Sequence, residues 1–221
     1  MKKLLFPFFL FFFLIEFGFG QTRQLSPSAE ISIITAGPGK VLFEGFGHST
    51  IRIQDKELAL DLAYNYGVFD FNAPNFYVNF VKGYMLYKLE KYPFHIFTRS
   101  YNRQQRWIKE QVLNLSQQEK QQFFDYLENN AKPENTFYSY DPFFNNCANK
   151  LRDITDLILQ ANVQFSDKHI VKKESLRVLM NSELPWNTWG SFGINVALGS
   201  KLDKIANEKE YMYLPDYVYA G

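Results

Sequence analysis

The 221-residue chain contains one cysteine, Cys147, so no internal disulfide can hold its fold, and the thiol must be accounted for by packing or by chemistry. It lies in the stretch Asn145-Asn146-Cys147-Ala148-Asn149-Lys150-Leu151-Arg152-Asp153. Apolar residues then fall at Leu151, Ile154, Leu157 and Ile158, which is helical spacing. Asn145 or Asn146 suits the cap of that helix, because a short amide side chain accepts from the free N–H groups of the first turn. Cys147 is therefore expected at a helix N-terminus, where the backbone dipole and unpaired amides favour the thiolate, the nucleophilic form. An acyl oxyanion would face the same start of the helix, which makes Asn146 and Ala148 the candidates to bind it. The alternative reading is that Cys147 is a small buried apolar residue.

The N-terminus bears on that choice. Met1-Lys2-Lys3 is followed by the apolar run Leu4 to Ile15 and by small residues up to Gly20. A basic start, a short apolar core and a small-residue exit describe a secretory signal peptide over residues 1–20, and the run is short for a membrane span. A lone thiol in an oxidising compartment is a liability unless it is buried or has a task. Without Lys2, Lys3 and Glu16, 22 basic and 22 acidic side chains remain, so the mature chain is neutral and nothing in it points to nucleic acid or a polybasic membrane patch. Residues 21–29 read as a polar linker and residues 30–221 as a single domain.

Along that domain, Glu30 to Ile34 alternates like a strand and Gly37-Pro38-Gly39 is a turn. A second strand is expected from Val41, and a hairpin joins Thr50–Ile53 to Leu58–Leu62. With Asp55-Lys56 as a two-residue loop, Thr50 lies opposite Asp61 and His48 opposite Ala63. His48 and Asp61 then share a sheet face as diagonal neighbours. Pro74 to Lys82 reads as a short helix ended by Gly83, Met85–Glu90 and Tyr92–Thr98 as a strand pair, and Arg103–Leu113 as a helix. Ser116-Gln117-Gln118-Glu119 is a capping box opening a helix to about Asn130. Thr136–Tyr140 is extended, and Ser175–Met180 is a short helix. Strands early and helices late make an α+β class, an antiparallel sheet packed against helices.

Thiol chemistry needs an imidazole to move a proton and a polar group to orient that imidazole. His48 stands between Gly47 and Ser49, whose small side chains leave room for a ligand. His95 falls in an apolar stretch and reads as a packing residue; His169 falls among charges and reads as solvated. The candidate catalytic set is Cys147, His48 and Asp61, with Asn65 and Tyr66 as substitutes in the orienting role or as substrate contacts. Read alone, His48 is equally a turn histidine, and Asp61 a strand-end carboxylate paired with Arg52. No spacing suggests a metal site, and no cofactor is implied.

These segments resemble the Lnb N-terminal periplasmic domain family. The resemblance is carried by Gly45-Phe46-Gly47-His48-Ser49-Thr50-Ile51-Arg52, by Asp61-Leu62-Ala63-Tyr64-Asn65-Tyr66-Gly67-Val68-Phe69-Asp70-Phe71, and by Tyr140 to Asp153 around Cys147. Later pieces are Ser175-Leu176-Arg177, Pro185-Trp186, Gly199 to Asp203 and Leu214 to Tyr217. The resemblance implies a papain-like fold of the NlpC type in permuted order, histidine before cysteine, as in the similar lecithin:retinol acyltransferase. It also implies lipoprotein N-acylation in the periplasm, at the inner-membrane surface, by a cysteine–histidine pair matching Cys147 and His48. The expected substrates are a phospholipid and a diacylated lipoprotein, joined through an acyl-thioester. Two rival expectations are a cell-envelope cysteine peptidase or amidase and a non-catalytic secreted binding module.

Overall fold

The strands are built on alternation. In β1 (Glu30–Ala36) and β2 (His48–Asp55), Ile31, Ile33, Ile51 and Ile53 face one side, and Ile34, Ala36, His48 and Arg52 the other. A computed structural model describes residues 23–221 except Phe71 and Trp186. The expected signal peptide therefore lies outside the described residues, as do Phe71 and Trp186 of the segments that carry the family resemblance. With β3 (Leu60–Val68), β4 (Leu86–Pro93), β5 (Ile108–Val112) and β6 (Phe137–Ser139), these strands form a six-stranded antiparallel sheet in the order β5-β1-β2-β3-β4-β6. The α+β class holds.

Both faces are covered. On the first, Ile31, Ile33, Ile51, Ile53, Tyr64 and Tyr66 pack with Phe123, Phe124 and Leu127 of α3 (Gln117–Asn130) and Leu151 and Ile154 of α4 (Cys147–Leu159). On the second, Ile34, Ala36 and Ala63 pack with Phe94 and Phe97 of α2 (Phe94–Arg103). A third cluster joins α5 (Leu176–Glu183) to Leu202, Tyr211, Tyr213 and Leu214, close to α7 (Glu208–Tyr211) and α8 (Pro215–Ala220). The short helix after Pro74 is α1 (Phe76–Val81), and α6 (Trp189–Ala197) has no buried residue.

Several sequence expectations need correction. The stretch from Arg23 to Ala29, read as a polar linker, packs onto the domain: Leu25 and Ala29 are core residues, and the Ser26 amide and hydroxyl both donate to the buried carboxylate of Asp55 at 2.7 and 2.9 Å. That carboxylate also accepts from Leu58, so Asp55 ties down the turn instead of occupying it. The loop is Lys56 to Ala59, because Asp55 pairs with Leu60. Asp61 consequently lies opposite Gln54, and continuing the register sets Thr50 opposite Asn65. The shift is an even number of residues, so every side chain keeps its expected face while its neighbours change. Leu42–Glu44 is a 3₁₀ turn where a strand was expected. Phe94 to Arg103 is helical and Ile108 to Val112 extended, the reverse of the sequence reading. His95 is thus an exposed helix residue, and the ring nitrogens of His169 are buried without hydrogen-bond partners beside Tyr217.

Candidate active site

The site forms where α4 begins. Asn146 caps the helix in a reciprocal box: its Oδ1 accepts from the Asn149 amide at 2.9 Å and its own amide donates to Asn149 Oδ1 at 3.1 Å. Its side-chain NH₂ donates to the carbonyls of Pro142 and Tyr213, both at 2.8 Å. Asn146 is therefore spent on fixing the helix start and has no donor left for an oxyanion. Cys147 is the first helical residue and is 9% exposed.

His48 opens β2 and is half-buried. Its Nε2 lies 2.5 Å from Asn65 Oδ1, a diagonal neighbour on β3. Asn65 has its amide toward Tyr92, which leaves its carbonyl for the imidazole. Cys147 belongs to the cluster on the first face of the sheet, and its charge acts on His48 at the start of β2. Gly67 of β3 lies against Cys147: its φ of +90° suits glycine, and its missing side chain leaves the Cys147 side chain over bare backbone.

Burial alone would raise the Cys147 thiol, but the His48 charge and hydrogen bond, with the Ser49 and Ala148 amides donating to the sulfur, hold it below the usual thiol range. Burial pushes His48 down and Arg106 pushes it further, yet the Cys147 charge and hydrogen bond and the bond to Asn65 hold it above the ordinary imidazole value. These opposite displacements are those of a thiolate–imidazolium pair.

Among the sequence candidates, the fold brings together Cys147, His48, Asn65 and the Ala148 amide. Asp61 is elsewhere. Its carboxylate takes two hydrogen bonds from Arg52, at 2.7 and 3.0 Å, and Arg52 also binds Glu110. The structural alternative for Asp61 is therefore what the chain adopts, and Asn65 occupies the position expected of it. Tyr66 is 3% exposed, faces the α4 side against Tyr138 and does not reach the imidazole. Among the described residues, no three His, Cys, Asp or Glu side chains cluster as a metal-binding set.

The model of the Lnb N-terminal periplasmic domain family matches residues 21–190, most of the chain and all of this site. The chain belongs to that family. A periplasmic location follows from it. No curated protein and no solved structure matches the chain. In this Lnb domain, sequence reasoning missed the Ser49 amide, although Ser49 sat within the quoted histidine segment. It also missed Tyr101, whose ring stacks near His48 at 6.2 Å, and Arg106, whose Cζ lies 4.4 Å over the Tyr101 ring. Among the described residues of the Lnb domain, no helix is long and apolar enough to cross a membrane.

Proposed function

We propose that this domain is a thiol acyltransferase of the periplasm, with Cys147 as nucleophile, His48 as proton carrier and Asn65 as the group that orients it. The observation that carries the reading is that one imidazole is hydrogen-bonded to Asn65 and electrostatically coupled to Cys147. We read the order as the permuted papain-like arrangement. The Sγ proton passes to His48, and the thiolate attacks a phospholipid ester carbonyl. Amides at the start of α4 would serve as donors for the oxyanion. An S–C bond forms, the ester C–O bond breaks, and His48 returns its proton to the leaving alcohol. An amine, here a lipoprotein N-terminus, then attacks the thioester. The N–C bond forms, the S–C bond breaks, and the amine proton restores the thiol.

The surroundings of the sulfur support an acyl donor over a peptide. A Cβ on Gly67 would lie 3.7 Å from Cys147 Cβ and 3.9 Å from the Tyr140 ring. Tyr140 stacks on Tyr87 at 4.1 Å, Tyr87 meets Phe69 at 4.9 Å, and Phe69 meets Phe43 at 5.9 Å. Phe43 is 57% exposed, so aromatic rings run from the sulfur to the surface. Work at the inner-membrane surface is part of the proposal. It is supported by α6, which carries no charged residue and exposes Trp189, Phe192 and Val196.

The test is incubation of the protein with phospholipid vesicles and a diacylated lipopeptide, followed by intact-mass analysis. A hydroxylamine-labile acyl adduct on Cys147 and an N-acylated lipopeptide are expected, both absent in Cys147→Ser. Rescue of a strain lacking its lipoprotein N-acyltransferase by wild type and Cys147→Ser alike would overturn the thiol mechanism.

A further inference from the structure

Arg106 is a buried cation whose charge is balanced at a distance by one carboxylate, Glu44. Its Nε donates to the Gly37 carbonyl at 2.6 Å and its Nη1 to Gln104 Oε1 at 3.1 Å. The carboxylate paired with it, Glu44, is 3.7 Å away, beyond hydrogen-bond distance. A buried guanidinium held mainly by neutral acceptors, with its carboxylate standing off, is only partly compensated for the loss of water. Its position is nevertheless well determined. After α2 the chain turns through Gln105, at a left-handed φ of +57°, and the Arg106 amide bonds back to the Tyr101 carbonyl at 3.1 Å. The guanidinium then covers the Tyr101 ring at 4.4 Å, and that ring is nearly parallel to the His48 imidazole, 12° between planes. Gly37 follows Ala36, the strand partner of His48.

We propose that Arg106 is a positioning residue of the Cys147 site: it fastens the Tyr101 ring to the end of β1, fixing the wall behind His48, and keeps a permanent positive charge there. This rests on the thiol-acyltransferase reading and adds a regulator of proton return to it. Every face of His48 contributes: Cys147 from α4, Asn65 with Tyr92 behind it from β3 and β4, Tyr101 and the uncharged Phe97 from α2, and Arg106 with Glu44 from the flanking turns. Cys147 and Asn65 favour the imidazolium; Arg106 opposes it. A fixed cation thus keeps the imidazolium acidic enough to hand its proton to the leaving alcohol.

The experiment is an NMR titration of the His48 ring in the full chain, assigned with His48→Gln, alongside iodoacetamide labelling of Cys147. Arg106→Met is expected to move the His48 midpoint up, and Arg106→Lys to return it toward wild type. Glu44→Gln, which frees the Arg106 charge, moves it down. An unmoved midpoint in folded Arg106→Met overturns the assignment, and where that variant does not fold, an unmoved midpoint in Glu44→Gln does so. The two readings fail separately. A wild-type Cys147 inert to labelling until unfolding removes the acyltransferase reading, while the midpoints still report on Arg106. Fast labelling with unmoved midpoints removes only Arg106.

Discussion

His48 Nε2 and Asn65 Oδ1 lie 2.5 Å apart, and this contact decides the tautomer of the imidazole. An amide oxygen only accepts, so Nε2 carries the hydrogen and Nδ1 is left to take the proton of Cys147. Asn65→Ala removes that constraint without touching either reacting atom. It should slow iodoacetamide labelling of Cys147 at neutral pH by about tenfold or more, as losses of an orienting group do. Asp61→Asn is the control. It breaks the half-exposed pair with Arg52, costs under about 1 kcal/mol in urea unfolding, and leaves the labelling rate unchanged.

Asn146 has a different task from the one its place beside the cysteine suggests. Its side chain caps α4 and satisfies two carbonyls, of Pro142 and Tyr213. Asn146→Ala therefore strands buried groups as well as losing the cap. We expect a loss of about 2–4 kcal/mol in urea denaturation, larger than a surface cap would cost. Asn146→Asp keeps the cap acceptor but sets a buried carboxylate against both carbonyls, and should cost at least as much as the alanine.

The exposed face of α6 gives a prediction independent of the thiol. Trp189 is 89% exposed and Phe192 62%. Trp189→Ser with Phe192→Ser should weaken sedimentation with phospholipid vesicles by about tenfold, since two buried aromatic rings account for at least that much partitioning. The unfolding midpoint should barely move, because neither side chain is in the core. Unchanged vesicle binding would remove α6 from the membrane reading and leave the chemistry standing.

Much of the site was legible in the sequence, and the rest was lost for identifiable reasons. The cysteine at a capped helix start and the histidine at a strand start are local patterns, and both sit where their neighbours direct them. The partner of His48 was not local. It depended on a hairpin loop, and Asp55 looked like a turn residue when its carboxylate is needed by Ser26 and Leu58. The loop is therefore longer, and Asn65 takes the place expected of Asp61. Tyr101 and Arg106 were hidden by a misread boundary. Tyr92 to Phe97 has the apolar density of a strand, but Pro93 ends the ladder and the chain turns helical at Phe94, which carries α2 across the second face. Tertiary packing of Phe94 and Phe97 outweighed local propensity there.

The pH profile of Cys147 alkylation tests most directly whether Cys147 and His48 form a charged pair in the folded protein. The thiol is held below its ordinary value of 9.0 and the imidazole above 6.5, so the thiolate forms early as pH rises and the imidazolium persists late. Iodoacetamide should label folded wild-type protein with a half-maximal rate below pH 9.0, and His48→Ala should move that midpoint upward, because burial then acts on the thiol without its main counterweight. A thiol that stays unlabelled until the chain unfolds, or a midpoint indifferent to His48→Ala, would contradict the account.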